Sequence, residues 1–167
     1  ITMRRQQETV RRDDAAARTT YGAIGTGKYK HRPARLYEDI GIIAADPQCG
    51  DDLAHLFNRL TGYGREIEYD TLLVAPDQLR PRLEALIDGE IASGRGRIIM
   101  KMNALVDASM IEKLYEASQA GVDIDLIIRG QCSLRPGVPG LSERIRVRWS
   151  VGRVLEHSGV CGFHHCN

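Results

Sequence analysis

Between Thr71 and Ile128 the apolar residues switch back and forth between two spacings, and that alternation constrains the fold more than composition does. Thr71 to Ala75, Ile98 to Met102 and Ile124 to Ile128 are short apolar runs of strand length. Between them, Asp77 to Ser93 sets Leu79, Leu83, Leu86, Ile87 and Ile91 on one side of a helix. A second helix from Asp107 to Ala120 carries Met110, Ile111, Leu114 and Tyr115 as its buried stripe. Asp107 is suited to the N-cap and Gly121 to the stop. Strand, helix, strand, helix, strand is the pattern of a mostly parallel sheet joined by crossover helices, so the fold class is α/β.

The last strand of this series ends abruptly in Arg129-Gly130. Open α/β sheets bind ligands beyond the carboxyl ends of their strands, which is where Arg129 falls. A Pro- and Gly-rich loop, SLRPGVPG, follows, and then a second β-like run in which Ile145, Val147, Trp149 and Val151 alternate with Arg146, Arg148 and Ser150. Arg129, Arg135, Arg144, Arg146, Arg148 and Arg153 make the window from Val122 to His157 locally basic. A guanidinium pairs two phosphate oxygens with its planar fork, so clustered arginines invite a phosphate reading. Arg144, Arg146 and Arg148 read as a solvated strand face. Arg129 reads as the exception.

Upstream, residues 1 to 20 mix charge with few apolar positions and no clear period, as a frayed lead-in or a poorly packed edge would. Gly25 and Gly27 flank Thr26 in a GTG turn, whose backbone N–H groups could approach a ligand or simply join two strands. Arg35 to Ala45 is expected to be a strand with Leu36, Ile40, Ile42 and Ile43 as its apolar members, broken by Asp46-Pro47. Asp51 to Leu60 is expected to be a helix stopped by Gly62, with a domain boundary in the polar stretch from Gly62 to Glu68.

Hydrophobic residues at 43% with 27% charged are those of a globular chain able to bury a core, and 5% aromatics make that core aliphatic. A net charge of +1 excludes an argument for polyanion binding from the whole chain; only local clustering carries one. No apolar run approaches the roughly 20 residues of a membrane span, and no secretory h-region opens the sequence. Cys49, Cys132, Cys161 and Cys166 have no framework spacing, which points to a reducing cytoplasm. Cys161, His164, His165 and Cys166 suggest zinc, but ligands packed so closely at one terminus can hardly surround one tetrahedral ion, so no metal site is expected.

The run IIRGQCSLRPGVPGLSERIRV, followed by GRVLEH, resembles the long, phospholipase-D-like type of polyphosphate kinase. Further matches run through GTGKYKHRPARLYEDIGIIAADP, LFNRLTGYG and KMNALVDASMIEKLYEASQAGVDIDL, so the resemblance covers Tyr21 to His157. It implies a phospholipase-D-like, mostly parallel α/β fold in two partial domains. Residues 1–66 would end the first catalytic domain, with 1–20 diverged, and residues 67–167 would begin the second, truncated. The implied activity is reversible transfer of the terminal phosphate of ATP to polyphosphate through a phosphohistidine. ATP with Mg2+, ADP and inorganic polyphosphate are the implied ligands. A homo-oligomeric intact protein is implied too, with no nucleic-acid partner and a cytoplasmic location that allows peripheral membrane association.

By position in the matching motifs, Tyr37 in ARLYED would meet the nucleotide and Arg129 in IIRG the phosphates. His157 in LEH would be a proton donor or phosphate ligand facing the nucleophile. The family's phosphate-accepting histidine lies in an HxK motif upstream of the GTG loop, and residues 1 to 20 contain no histidine. Ala23, Lys28 and Gly159 also depart from the family pattern. The expectation is an internal fragment, inactive alone. Two rivals remain: a non-enzymatic polyanion-binding α/β module, and a phospholipase-D-type phosphodiesterase, which would need two HxK motifs.

Overall fold

The computed structural model describes residues 2–8, 19–26, 37–62, 68–150, 152 and 155–165. The chain divides into two compact units, Ile1–Arg35 with Asp39–Ala75, and Leu36–Glu38 with Pro76–Asn167.

In the first unit, β1 (Thr2–Glu8) pairs antiparallel with β2 (Thr19–Gly25). Of the two readings of the lead-in, the edge is the one that forms, over Thr2–Glu8. The predicted strand from Arg35 to Ala45 is two short ones, β3 (Tyr37–Glu38), which belongs to the second unit, and β4 (Gly41–Ala44), antiparallel to β2. Its expected apolar members stay largely exposed, Ile40 at 48%, Ile42 at 61% and Ile43 at 81%; Leu36 lies outside the described residues, as does Gly27 of the GTG turn.

Asp46-Pro47 ends the strand region and also starts α1 (Pro47–Leu60), four residues before the predicted Asp51. The Asp46 carboxylate accepts from the Cys49 N–H at 2.9 Å, and Pro47 sits where no intrahelical N–H is required. Leu53 of α1 is fully buried and packs so closely on β2 that a Cβ at Gly22 would lie 2.2 Å from its Cδ1. Gly22 is the residue that lets helix and strand meet.

The strand predicted at Thr71 to Ala75 does not form. Its start is drawn to α1 instead: the buried Asp52 carboxylate accepts from the N–H groups of Asp70 (3.1 Å), Thr71 (2.7 Å) and Leu72 (3.0 Å), and from the Thr71 hydroxyl (2.8 Å). Those first donors are then not available to a strand ladder.

The second unit is built from α2 (Leu79–Ala92), β5 (Arg97–Met102), α3 (Ala108–Gln119), β6 (Asp123–Ile128), β7 (Ile145–Trp149), β8 (Leu155–Glu156) and β9 (Val160–Phe163). Its main sheet has the order β7-β6-β5-β9, with β5, β6 and β7 parallel and β9 antiparallel to β5. The crossover from β5 to β6 is α3, capped as predicted by Asp107, which accepts from the Met110 N–H at 2.9 Å, and ended at Gly121 (φ +95). Ile98 and Met100 of β5, Ile124, Leu126 and Ile128 of β6, and Ile111 and Leu114 of α3 form the core, which Ile87 of α2 joins. Of the other α2 residues predicted on the buried side, Leu79 is exposed.

The buried Glu90 of α2 ties the helix to the sheet through the Arg97 N–H (2.9 Å) and the His165 N–H (2.6 Å). From β6 to β7 the chain runs through a loop, which Ser142 closes by donating to the Arg135 carbonyl (2.7 Å) and accepting from the Val138 N–H (3.0 Å). Tyr115, expected in the buried stripe, is half-buried, and its hydroxyl accepts from the Arg135 N–H at 2.9 Å. Strand alternation leaves Arg97, Lys101, Asp125, Arg129 and Arg146 on the side away from the residues that fill the core.

Candidate functional site

Parallel register carries β5 and β6 past their ends side by side. Lys101 lies opposite Ile127 and Met102 opposite Ile128, and the Arg129 and Gly130 N–H groups donate to the Met102 (3.2 Å) and Asn103 (2.8 Å) carbonyls. Arg129 is therefore at the carboxyl end of a buried strand, half-buried, with Asn103 beside it. Its Nε donates to Asn103 Oδ1 at 2.6 Å. Among the described residues no other side-chain acceptor meets its guanidinium, whose Nη1–Nη2 pair has the geometry to grip two phosphate oxygens.

His157 is exposed and follows β8. β8 pairs in parallel with β3, Tyr37 opposite Leu155 and Glu38 opposite Glu156, so the backbone of Tyr37 runs beside the strand that leads into His157. The two residues flanking His157 are fastened to β5. Lys101 Nζ lies 2.5 Å from Glu156 Oε2 and donates to the Ser158 carbonyl (3.2 Å) and hydroxyl (3.1 Å). The Lys101 ammonium holds the Glu156 carboxyl below its ordinary range.

Strand pairing thus sets the backbone of Tyr37 opposite Leu155, two residues before His157, and Arg129 and the His157 loop share β5 as their common support. Sequence reasoning passed over Lys101 and Asn103. The readable signal was polar residues two apart where an apolar strand ends, because side chains at i and i+2 point to one face.

Three other arginines of this face, Arg97, Arg144 and Arg146, behave differently. Asp125 accepts from Arg146 through both oxygens (2.8 and 2.9 Å) and from Arg97 at 3.4 Å, while Arg144 meets Asp123 at 3.1 Å. The Arg146 hydrogen bonds hold the Asp125 carboxyl below its usual value. This ladder is exposed at its three arginines, each of which is paired with one of two acids. Among the described residues no three His, Cys, Asp or Glu converge as a metal site. The His165 ring nitrogen Nε2 lies 3.2 Å from the Arg95 carbonyl, and Cys166 lies outside the described residues.

The family described as "Polyphosphate kinase C-terminal domain 2" matches residues 72–167, and "Polyphosphate kinase C-terminal domain 1" matches residues 4–66. The chain is 51% identical over 162 residues to a polyphosphate kinase of Mycobacterium avium, covering 95% of this chain and 22% of that protein. To a polyphosphate kinase of Synechocystis it is 53% identical over 149 residues, covering 87% of this chain and 20% of the relative. The crystal structure of polyphosphate kinase from Porphyromonas gingivalis superposes with a TM-score of 0.82 at 35% identity, over 94% of this chain and 26% of that one. The chain therefore spans about a fifth to a quarter of the length of these relatives. Its phospholipase-D-like α/β architecture is the one the motifs led us to expect. With the first of these family matches alone covering more than half of its residues, and relatives about half identical along nearly all of it, the chain belongs to the polyphosphate kinase family.

Proposed function

We propose that this chain is part of an ATP:polyphosphate phosphotransferase, in which residues 1–66 end one phospholipase-D-like catalytic domain and residues 67–167 begin the next. The observation that carries the reading is the clustering at one end of β5: Arg129, tethered through Nε, and the fastened loop that bears His157. Arg129 binds a terminal phosphate through its Nη1–Nη2 pair. His157 faces the same phosphate as ligand or proton donor, and Tyr37, on the strand beside β8, contacts the nucleotide.

The reaction is a two-step exchange. A histidine nucleophile outside residues 1 to 20 takes the γ-phosphoryl group of ATP and releases ADP; the terminal oxygen of polyphosphate then takes that group from the phosphohistidine, and both steps run backwards. Magnesium enters with the nucleotide as part of the substrate. The protein carrying this segment is cytoplasmic and a homo-oligomer; among the described residues no helix is long and apolar enough to cross a membrane.

A polyanion-binding module without chemistry would use the arginines as a diffuse face, but Arg144 and Arg146 are spent on Asp123 and Asp125. The test is phosphate transfer by an intact polyphosphate kinase carrying this segment. His157→Ala nearly abolishes it while polyphosphate binding and the melting temperature persist. The isolated 167-residue chain transfers nothing, since losing a nucleophile costs many orders of magnitude. Labelled phosphate entering polyphosphate with this chain as sole catalyst, or an unimpaired His157→Ala enzyme, would overturn the reading.

A further inference from the structure

We propose that Lys101 and Asn103 are the positioning residues of this phosphate site, Asn103 aiming Arg129 and Lys101 holding the loop that presents His157. The inference rests on the reading of Arg129 and His157 given above and adds to it how they are aligned.

Both act from the same face of one strand. Residues 101 and 103 are two apart, so their side chains leave β5 on one side, where it meets β6 on one flank and β9 on the other. On the β6 flank, Asn103 Oδ1 takes the Arg129 Nε–H at 2.6 Å. A guanidinium has one Nε–H and four terminal N–H donors, so a bond at Nε fixes the plane, occupies the Nε–Nη2 edge and leaves the Nη1–Nη2 pair to meet phosphate. Without that acceptor the side chain could rotate about its flexible stem, and the fork would be ordered only at the expense of binding energy.

On the β9 flank, an ammonium has three N–H donors. Lys101 has three acceptors within reach: Glu156 Oε2, the Ser158 carbonyl and the Ser158 hydroxyl. Its donors are consumed, so Lys101 is not itself a phosphate ligand. What it does is clamp the residues immediately before and after His157, with Ser158 buried as the anchor and His157 left exposed between them. Two reacting-site side chains from distant parts of the sequence are thereby referenced to one rigid strand, the support a transfer site needs.

The experiment uses an intact polyphosphate kinase carrying this segment, with variants checked for a native melting temperature. Asn103→Leu removes the acceptor at similar volume and should lower kcat at least about tenfold; Asn103→Gln keeps a neutral amide acceptor and should restore part of it. Lys101→Met should lower kcat similarly, and Lys101→Arg, which can reach the same acceptors, should recover part. In an Arg129→Ala background Asn103→Leu should cost little more, and in a His157→Ala background Lys101→Met should cost little more, because each acts through its partner. If either variant fails to fold, Asn103→Ala or Lys101→Gln replaces it in the same cycle.

Full additivity in the cycles, or Asn103→Gln as impaired as Asn103→Leu, would overturn the positioning roles while leaving the phosphate site standing. An Arg129→Ala enzyme with unchanged transfer would instead remove the site itself, and the positioning roles with it.

Discussion

Two regions of one sheet, the amino-terminal part of its parallel strands and the carboxyl ends of β5 and β6, are both basic and hold their arginines differently. At the amino-terminal end, Arg97 and Arg146 share Asp125, and Arg144 is met by Asp123. At the ends, Arg129 is held by the neutral amide of Asn103, and the one acid of that neighbourhood engaged by a lysine, Glu156, is matched by Lys101. An arginine bound through both oxygens of a carboxylate has its fork occupied. An arginine bound at Nε by a neutral amide keeps an unbalanced charge and its Nη1–Nη2 pair. The difference shows that an anion site is located by what the guanidinium is already doing, and not by how many guanidinium groups are near.

The largest effect that would sharpen this contrast is a paired substitution in an intact polyphosphate kinase carrying the segment. Arg129→Lys should lower transfer by roughly 30- to 150-fold, equivalent to about 2–3 kcal/mol, because a point charge cannot replace the bidentate fork. Arg146→Lys should leave transfer within about twofold, since its partner is Asp125 and screening weakens an exposed pair. Equal effects at the two positions, measured as kcat/KM for ATP, would erase the distinction.

A second test asks whether the two regions stand on one core. Leu126 of β6 is fully buried beneath both. Leu126→Ala should destabilise the fold by about 2–5 kcal/mol, read as a lower urea midpoint. If the regions share that support, Arg129-dependent transfer and the solubility of the Arg146 face should fail at the same denaturant concentration. Separate transitions would show them to be independent.

The smaller effects concern pH. The Asp125 carboxyl is held below its ordinary value by Arg146 first, and its folded pKa lies beneath its unfolded one. The stabilisation is then present in full above the unfolded value of about 3.9 and is lost as pH falls through the folded one. Asp52 follows the same direction: burial alone would raise it, but the bonds from Thr71, Leu72 and Asp70 together lower it. Urea midpoints should fall between about pH 5 and pH 2, and Asp125→Asn should flatten part of that fall. A midpoint that rises on acidification, or an Asp125→Asn profile parallel to the parent, would contradict the ladder.

Smallest of all is the expected response of transfer to Arg146→Ala. It should be nearly normal in rate, with the salt dependence of polyphosphate binding changed by no more than about one unit of slope. A large loss would move Arg146 from the paired ladder to the site and break the comparison altogether.

The sequence by itself determined the α/β class, the parallel run from β5 to β6, the caps at Asp107 and Gly121, and the position of Arg129 at a strand end. Periodicity and punctuation are local, and these features depend on little else. It also carried the family, through motifs in fixed order. It misplaced the strand at Thr71 to Ala75, because nothing local tells that Asp52, far back in the chain, will take those N–H groups. It likewise placed Ile42 and Ile43 among strand apolar members that the described structure leaves exposed. Lys101 and Asn103 were in view as letters of a matching motif but carried no role until the register of β5 against β6 and β9 put Arg129 and Ser158 within their reach. Those partners are tens of residues away, and a hydrogen bond at that separation is decided by strand pairing alone. Which arginines are paired was decided in the same way, since Asp125 meets Arg146 only across adjacent strands.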